Sequence, residues 1–411
     1  MRSLSRRVAL VGVLALISTM LAAPLAHAAS TTYQVQIGQG FGVGPNCDPA
    51  SGDGCTFAES MRFFPQALTV HKGDVLHFTS DGFHTATALP KNVGADDWID
   101  ANATTQTQPF SLFSADPDEP VTPTQLDFNP AVALPSSFTC GTPDTGPCPY
   151  DGSAPLNSGV PLGGSLDFSV TVNANPGDFF YVICLVHHHM RMKVNVVPDS
   201  QAGTTQADID SAKNAQVGQD IDDASALNNK LAAKQSSHSI GGGHKVWDVF
   251  NGFDTNGFSL YSQYPSTLKI HKGDKVRWHF GQLVSETHST VFPLKQANQW
   301  ANSVGNPVYC DPDRSATSDG PQPGAPGDPN APPPFCPGGP AQIELPEPNG
   351  VAYGTGNGKV TSPKDVESGP LEGPQGLTQA SYQLTFPVPG VYSYGCGIHG
   401  GLMAGKIVVK S

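Results

Sequence analysis

Two short loops carry the residues that could do chemistry. The first reads CLVHHHM over residues 184–190, and the second reads CGIHGGLM over residues 396–403. Each loop combines a thiolate, an imidazole and a thioether. Soft sulfur ligands together with imidazole suit copper better than magnesium or calcium, which prefer oxygen ligands. The two loops therefore predict two similar metal sites.

A further histidine lies upstream of each loop. His84 and His288 follow Lys-Gly-Asp turns, 11 and 15 residues after Gly73 and Gly273, and each begins a short β-branched stretch. Two histidines and one cysteine in a trigonal arrangement, with a weak axial methionine, form a blue-copper electron-transfer site. Each half of the chain thus contains the residue types that such a site needs.

The chain repeats itself once, which places both loops in equivalent settings. PQALTVHKGDVLHF (65–78) matches PSTLKIHKGDKVRWHF (265–280), and PGDFFYVICLVHHHMRMKVNVV (176–197) matches PGVYSYGCGIHGGLMAGKIVV (389–409). Alternating apolar positions around Gly turns predict β-strands. A repeat period of about 200 residues is too long for a solenoid and indicates two homologous domains.

Composition agrees with strands joined by many turns. Only 14% of the 411 residues are charged, while Gly and Pro number 45 and 38. Such a turn-rich, charge-poor chain is typical of an all-β protein. The net charge of -13 and the lack of a basic patch argue against nucleic-acid binding.

Both halves resemble the cupredoxins, the blue-copper family of plastocyanin, pseudoazurin and amicyanin. The first loop is closest to that of amicyanin, and the second lies between the amicyanin and plastocyanin loop lengths. The resemblance implies two Greek-key cupredoxin β-sandwiches with copper at one end of each. It covers the first two strands, the histidine region and the last two strands of each domain. It does not cover the long insertions at 85–165 and 311–380.

The resemblance also implies the ligands, position by position. Met192 competes with Met190 as the axial ligand, but alignment of MRMKVNVV with MAGKIVVK places Met190 opposite Met403. Thr85 and Ser289 stand where the family usually has asparagine, which leaves the reduction potential open. The expected copper ligands are His84, Cys184, His187 and Met190 in the first domain, and His288, Cys396, His399 and Met403 in the second.

The segment between the repeats has a different composition. Residues 199–235 lack Pro and aromatic residues, which predicts one or two helices with a poor apolar face. The Gly- and Ser-rich residues 236–243 are expected to form a flexible link. The predicted organisation is a domain over 31–198, a linker over 199–243 and a domain over 244–411.

Residues 1–28 have the features of a signal peptide. Arg2, Arg6 and Arg7 precede an apolar stretch, and Ala26-His27-Ala28 is a small-x-small cleavage site. The adjacent arginines leave a twin-arginine export signal open. We expect a secreted or periplasmic protein with no stable membrane span after cleavage.

In an oxidising compartment the cysteines are expected to pair. The simplest pairing joins Cys47 to Cys55, Cys140 to Cys148, and Cys310 to Cys336. The two remaining cysteines are those of the metal loops. A disulfide between them is the alternative, which the histidines beside each cysteine argue against.

A copper ion with four protein ligands has no open position, which favours outer-sphere electron transfer with a redox partner protein or a small redox molecule. In the family the histidine of the loop reaches the surface, so electrons are expected to pass through His187 and His399. The rivals are a two-domain copper oxidase or nitrite-reductase-like enzyme, and a copper-binding or storage protein. Because no His-Cys-His and no second His-x-His pair is present, the sequence predicts that the chain is not an enzyme.

Overall fold

The computed structural model describes most of the chain outside the N-terminal segment and the two long insertions. The described residues are 30–48, 51, 54–80, 82–102, 113–115, 126–128, 130–161, 165–187, 189–280, 288–303, 309–310, 343–344, 366–367 and 381–411. The predicted signal peptide and the Cys310–Cys336 disulfide lie outside this part.

The elements of the first half are short strands with little helix. They are β1 (Thr32–Val43), β2 (Thr56–Phe64), β3 (Ala67–His71), β4 (Val75–Ser80), β5 (Thr87–Ala88), α1 (Ala95–Asn102), β6 (Phe113–Ala115), β7 (Leu126–Phe128), α2 (Pro130–Ala133), β8 (Cys148–Tyr150), β9 (Leu156–Asn157), β10 (Leu166–Val172), β11 (Phe179–Ile183) and β12 (Arg191–Val197). We call β1–β12 domain one.

A long helix, α3 (Gln206–Ala232), separates these strands from those of the second half. The remaining elements are β13 (Ser236–Gly241), β14 (His244–Asp254), β15 (Phe258–Tyr264), β16 (Thr267–His271), β17 (Lys275–Phe280), β18 (Val291–Phe292), α4 (Leu294–Ser303), β19 (Tyr309–Cys310), β20 (Ile343–Glu344), β21 (Val366–Glu367), β22 (Ser381–Thr385), β23 (Gly390–Cys396) and β24 (Gly400–Lys410). We call β13–β24 domain two. The all-β prediction is confirmed.

Domain one is a sandwich of two sheets. In one sheet β2, β1, β4, β10 and β8 are neighbours, and in the other the order is β3-β12-β11-β5-β9. Strand β12 alternates buried and half-buried residues, which places Met192, Val194 and Val196 in the core. Val35 of β1, Phe78 of β4 and residues of β11 belong to the same cluster, so the core lies between the two sheets.

Domain two repeats this arrangement. Its β14 pairs in parallel with β17, as β1 pairs with β4, and its second sheet has the order β16-β24-β23-β18-β21. The fully buried Trp278 stands at the centre of the core, with the rings of Phe292, Tyr382 and Tyr394 around it. The sequence repeat therefore corresponds to a structural repeat.

The two domains share one sheet. Strands β2 and β15 pair antiparallel, with Glu59 opposite Ser259, and this pairing joins the neighbouring strands into a ten-stranded sheet. Helix α3 begins with a capping box of Thr205 and Asp208, and it contacts β1, β2 and β15. The predicted helical segment is thus packed on both domains.

The glycine- and serine-rich segment after this helix differs from the expected flexible link. Residues 236–241 form β13, which pairs antiparallel with β14 through a turn at Gly241–Gly243. All three glycines have positive φ, the conformation that a tight hairpin turn requires and that glycine adopts without strain. The glycines therefore build a turn in a sheet.

Six of the eight cysteines behave as the sequence predicts. Cys47–Cys55 and Cys140–Cys148 are disulfides, while Cys184 and Cys396 are free and buried. Disulfides are typical of proteins that fold outside the reducing cytosol. Within the described residues, no helix combines the length and hydrophobicity needed to cross a membrane.

Candidate metal centres

In domain one the three predicted nitrogen and thiolate ligands converge. The Nδ1 atoms of His84 and His187 lie 2.9 Å apart, and the Sγ of Cys184 lies 3.9 Å and 3.5 Å from them, respectively. All three residues are buried. His84 comes from the segment between β4 and β5, whereas Cys184 and His187 come from the loop between β11 and β12.

Domain two assembles the same cluster from equivalent elements. The Nδ1 atoms of His288 and His399 lie 3.3 Å apart, and the Sγ of Cys396 lies 3.5 Å from Nδ1 of His399. Cys396 and His288 are buried, while His399 is half-buried. These two groups are the metal-binding candidates found among the described residues.

The spacing of these atoms fits one metal ion in each cluster. With metal–nitrogen bonds of about 2.0 Å, a trigonal site places its two nitrogens about 3.5 Å apart. The measured separation of 3.3 Å in domain two is close to this value, and that in domain one is shorter. A thiolate with two imidazoles is a donor set suited to copper or zinc.

The fourth predicted ligand of each site is also in the core. Met190 is buried in the cluster that contains Cys184, and Met403 is buried with Cys396. In the first loop the backbone N–H of Met190 donates to His187, and that of Cys184 donates to Met190. These bonds fold the loop back on itself, so that Met190 lies next to Cys184 and His187 in the backbone hydrogen-bond pattern. Met192 is buried too, as a residue of strand β12.

Thr85 and Ser289 tie the histidine segment to the cysteine loop. The backbone N–H of Thr85 donates to the Sγ of Cys184 (3.4 Å), and that of Ser289 donates to the Sγ of Cys396 (3.3 Å). Their hydroxyls accept from the N–H of the residue after each cysteine, at 2.8 Å and 2.7 Å. Thr85 and Ser289, which stand where the family resemblance implies asparagine, thus bridge the histidine segment and the cysteine loop in both domains.

The surroundings of both thiols favour the thiolate. Burial raises the pKa of Cys184 and Cys396, but the charge and hydrogen bonds of the neighbouring histidines outweigh it and hold each pKa well below its usual range. A thiolate is the form that binds metal. The electrostatics of both clusters are therefore already those of a soft-metal site.

A carboxylate contacts the first site and was not identified from the sequence. The Oε1 of Glu59 lies 2.8 Å from the Nε2 of His84, on the ring edge opposite the ligand nitrogen. Burial lowers the pKa of His84, but Glu59 together with the Cys184 thiol raises it to about 9. Glu59 is in β2, far from both motifs, and no local pattern marks it.

The expected surface route through His187 is not present in the described structure. The side chain is 2% exposed, and Leu185 beside it is buried. In domain two His399 keeps partial exposure, and Leu402 next to it is 57% exposed. In the part of the chain that the structure describes, the second site therefore has the accessible histidine and apolar surface that the family resemblance implies, and the first does not.

A cleft of about 640 Å³ lies at the junction of the domains. Its wall includes Phe41, Phe57, Glu59 and Gly82 of domain one, and Gly401 and Leu402 of domain two. Because Glu59 contacts a ligand histidine and Leu402 belongs to the second metal loop, the cleft lies beside both clusters.

Two glycines allow the ligand histidines their positions. Gly38 and Gly252 have positive φ, and each occupies the bulge of its strand. A Cβ on Gly252 would lie 2.3 Å from the Nε2 of His288, and one on Gly38 would lie 2.5 Å from that of His84. The sequence offered no signal for these positions, because the bulges depend on strand pairing.

Replacement of Gly252 by alanine is expected to push His288 out of place and to weaken metal binding in domain two by at least about tenfold. The control is Gly241→Ala, at a residue with similar φ and no atom within 4 Å of the added Cβ. Copper titration of both variants measures the effect. Equal affinities in the two variants would contradict the prediction.

Comparison with known proteins gives low similarity throughout. No family model matches the sequence, and no curated protein matches it. Auracyanin A, a "blue" copper protein from Chloroflexus aurantiacus, aligns with 41% of this chain and 100% of its own at 16% identity and a TM-score of 0.18. A multicopper oxidase aligns with 92% of this chain and 88% of its own at 10% identity and a TM-score of 0.18. A copper nitrite reductase from Nitrosomonas europaea aligns with 93% of this chain and 95% of its own at 11% identity and a TM-score of 0.18.

The prediction that the chain is not an enzyme is wrong, because it excluded a class of protein that the comparison includes. Copper enzymes are among the solved structures that align with more than nine-tenths of the chain. The prediction considered only short histidine motifs, namely histidines next to the cysteines and His-x-His pairs. It could not anticipate a cleft whose wall includes a carboxylate beside one of the predicted ligand histidines.

The fold can be assigned from the chain's own features. Each domain is a sandwich of two sheets, and its last two strands are joined through a Cys-x2-His motif. A second histidine, from the segment before β5 or before β18, completes the cluster. Both domains share this arrangement, and the sequence repeat relates them. The chain is therefore a tandem protein of two domains with the cupredoxin fold.

Proposed function

We propose that each domain binds one copper ion and that the chain transfers electrons through these two sites. The observation that carries the proposal is the duplicated cluster of one cysteine sulfur and two imidazole Nδ1 atoms at the same end of each sandwich, buried except for the half-buried His399. In domain one the ligands are His84, Cys184, His187 and Met190. In domain two they are His288, Cys396, His399 and Met403.

When bound, copper supplies one-electron chemistry between Cu(I) and Cu(II), and a trigonal His₂Cys set with a weak Met ligand serves both states. The protein contributes a fixed geometry. Thr85 and Ser289 hold the cysteine loop against the histidine segment, and burial excludes water from the thiolates. Little therefore has to move when an electron arrives.

The exposed side of the second site is the place for a redox partner. Leu402 and the partly exposed Ile398 flank His399, which gives an apolar surface around an accessible ligand edge. Small apolar surfaces of this kind support brief contacts between redox proteins. A partner protein or a small redox molecule would exchange electrons there.

The cleft supports a second candidate, a copper-dependent oxidoreductase that acts on a small molecule. Glu59 is the charged side chain in the wall of the cleft, and it hydrogen-bonds to His84. A substrate with a hydrogen-bond donor or a positive charge would bind beside this carboxylate. Steady-state consumption of a small reductant with dioxygen or nitrite present would favour this candidate, whereas a single stoichiometric reduction would favour the carrier.

The main proposal is tested by loading the purified protein with copper, counting the metal, and recording visible and electron paramagnetic spectra. We expect two copper ions per chain, intense thiolate-to-copper absorption and the narrow hyperfine splitting of type 1 copper. A colourless protein with copper bound, or one without copper, would overturn the proposal.

A further inference from the structure

The two metal clusters are connected through two side chains at the domain junction. Glu59 of domain one accepts at Oε1 from Nε2 of His84 and at Oε2 from the hydroxyl of Tyr261, at 2.8 Å and 3.3 Å. The ring of Tyr261 packs edge-on against His399 of domain two, with centroids 4.8 Å apart. It also lies 6.2 Å from the ring of His288.

The junction holds this connection among largely buried side chains. Tyr261 is buried in one cluster with Cys396 and Met403, and Phe57 of domain one packs on its ring at 5.3 Å. Glu59 is buried as well, and both residues are in the paired strands β2 and β15. Because the strand ladder fixes their relative positions, the contact is a property of the fold.

The two sites differ at the position that Glu59 occupies. Glu59 lies six residues before Pro65, and the equivalent residue six before Pro265 is Ser259. Among the described residues, neither the Oγ of Ser259 nor the Nε2 of His288 has a hydrogen-bond partner, and both are buried. Within the described part of the chain, His84 is thus backed by a carboxylate, whereas the Nε2 of His288 has no hydrogen-bond partner.

This difference has a direct electrostatic consequence. A carboxylate that accepts from the outer N–H of a ligand histidine makes the imidazole a stronger donor. The added negative charge stabilises the higher charge of Cu(II) more than that of Cu(I). A copper ion at the first site would therefore have the lower reduction potential.

We propose that Glu59 gives the two sites unequal reduction potentials and that the contact between Glu59 and Tyr261 directs one electron from the first site to the second. This inference rests on the proposed function. In this step Cu(I) at the first site becomes Cu(II), and Cu(II) at the second site becomes Cu(I). No bond is made or broken and no proton is transferred. The second site, which has the more exposed histidine, then passes the electron out of the chain.

The test measures the potential of each site alone. Copper-loaded Cys396→Ser reports the first site and Cys184→Ser the second, by redox titration followed in the visible spectrum. We expect the first site to have the lower potential. When Glu59→Gln is combined with each of these variants, it should raise the reduction potential of the first site toward that of the second. The reduction potential of the second site should stay unchanged.

A matched control separates this effect from a change in net charge. Asp167 accepts from the Nε2 of His77 at 2.8 Å, and this histidine is not a metal ligand. Asp167→Asn removes the same charge from domain one and should leave both potentials unchanged. Equal potentials in the two sites, or a first-site potential that Glu59→Gln does not raise, would overturn the inference while copper binding stands.

A second measurement tests the route. After pulse reduction of the fully oxidised two-copper protein, we expect the first site to reoxidise as the second is reduced, at a rate independent of protein concentration. Tyr261→Leu should slow this phase, while the first site should still have the lower reduction potential. An unchanged rate would overturn the role of Tyr261. Absence of copper from the wild-type protein would instead overturn the proposed function.

Discussion

Replacement of Cys396 by serine is expected to abolish copper binding in domain two and to leave domain one loaded. A serine hydroxyl stays protonated and is a hard donor, so the cluster loses both its negative charge and its soft ligand. The affinity loss should exceed the 10- to 100-fold that removal of an outer partner of a ligand causes. Metal counting should fall from two copper ions per chain to one.

The reciprocal variant is the control for this prediction. Cys184→Ser should remove the copper of domain one and keep that of domain two, because each donor set lies within its own domain. The double variant should be colourless. Loss of both copper ions from either single variant would show that the sites assemble cooperatively and would contradict their independence.

Replacement of Asp220 by alanine is expected to lower the free energy of unfolding by about 3 kcal/mol. Asp220 is buried on helix α3, where it accepts from Ser60 at 2.8 Å and from Nε of Arg62 at 3.0 Å. Its removal leaves a buried hydroxyl and a guanidinium without their acceptor. We take the lower end of the range for such losses because the Arg62 side chain is 21% exposed.

Asp223→Ala is the matched control, since Asp223 is exposed on the same helix. Its unfolding free energy should stay within about 0.5 kcal/mol of the wild type. Urea denaturation followed by circular dichroism measures both variants. If both lose the same stability, the contribution comes from the helix as a whole, and the specific role of Asp220 fails.

Much of each metal site was predictable from local sequence. Cys184 and His187 are three residues apart, so one turn at the end of a strand must bring them together. His84 could be identified because a Lys-Gly-Asp turn precedes it, as one also precedes His288. Repetition of the pattern made a chance match implausible. The exposure of His187 was not predictable, because it depends on what packs over the loop.

Predictions from the sequence were wrong where segments far apart in the chain decide the structure. Residues 236–241 have the composition of a linker, yet they form a strand because β14 offers a free edge to pair with. The exclusion of an enzyme failed for a similar reason. It considered neighbours along the chain, whereas the cleft is built by residues of both domains.

The sequence by itself determined the residue types of the candidate metal clusters, the repeat and the all-β architecture, since these depend on short spacings and on alternating patterns along strands. Only the tertiary structure decided that the two clusters are connected through side chains and that Glu59 contacts His84 of the first cluster. Glu59 and Tyr261 are 202 residues apart and meet because β2 pairs with β15 across the domain junction. Such a pairing arises from the packing of whole domains, which no local spacing encodes.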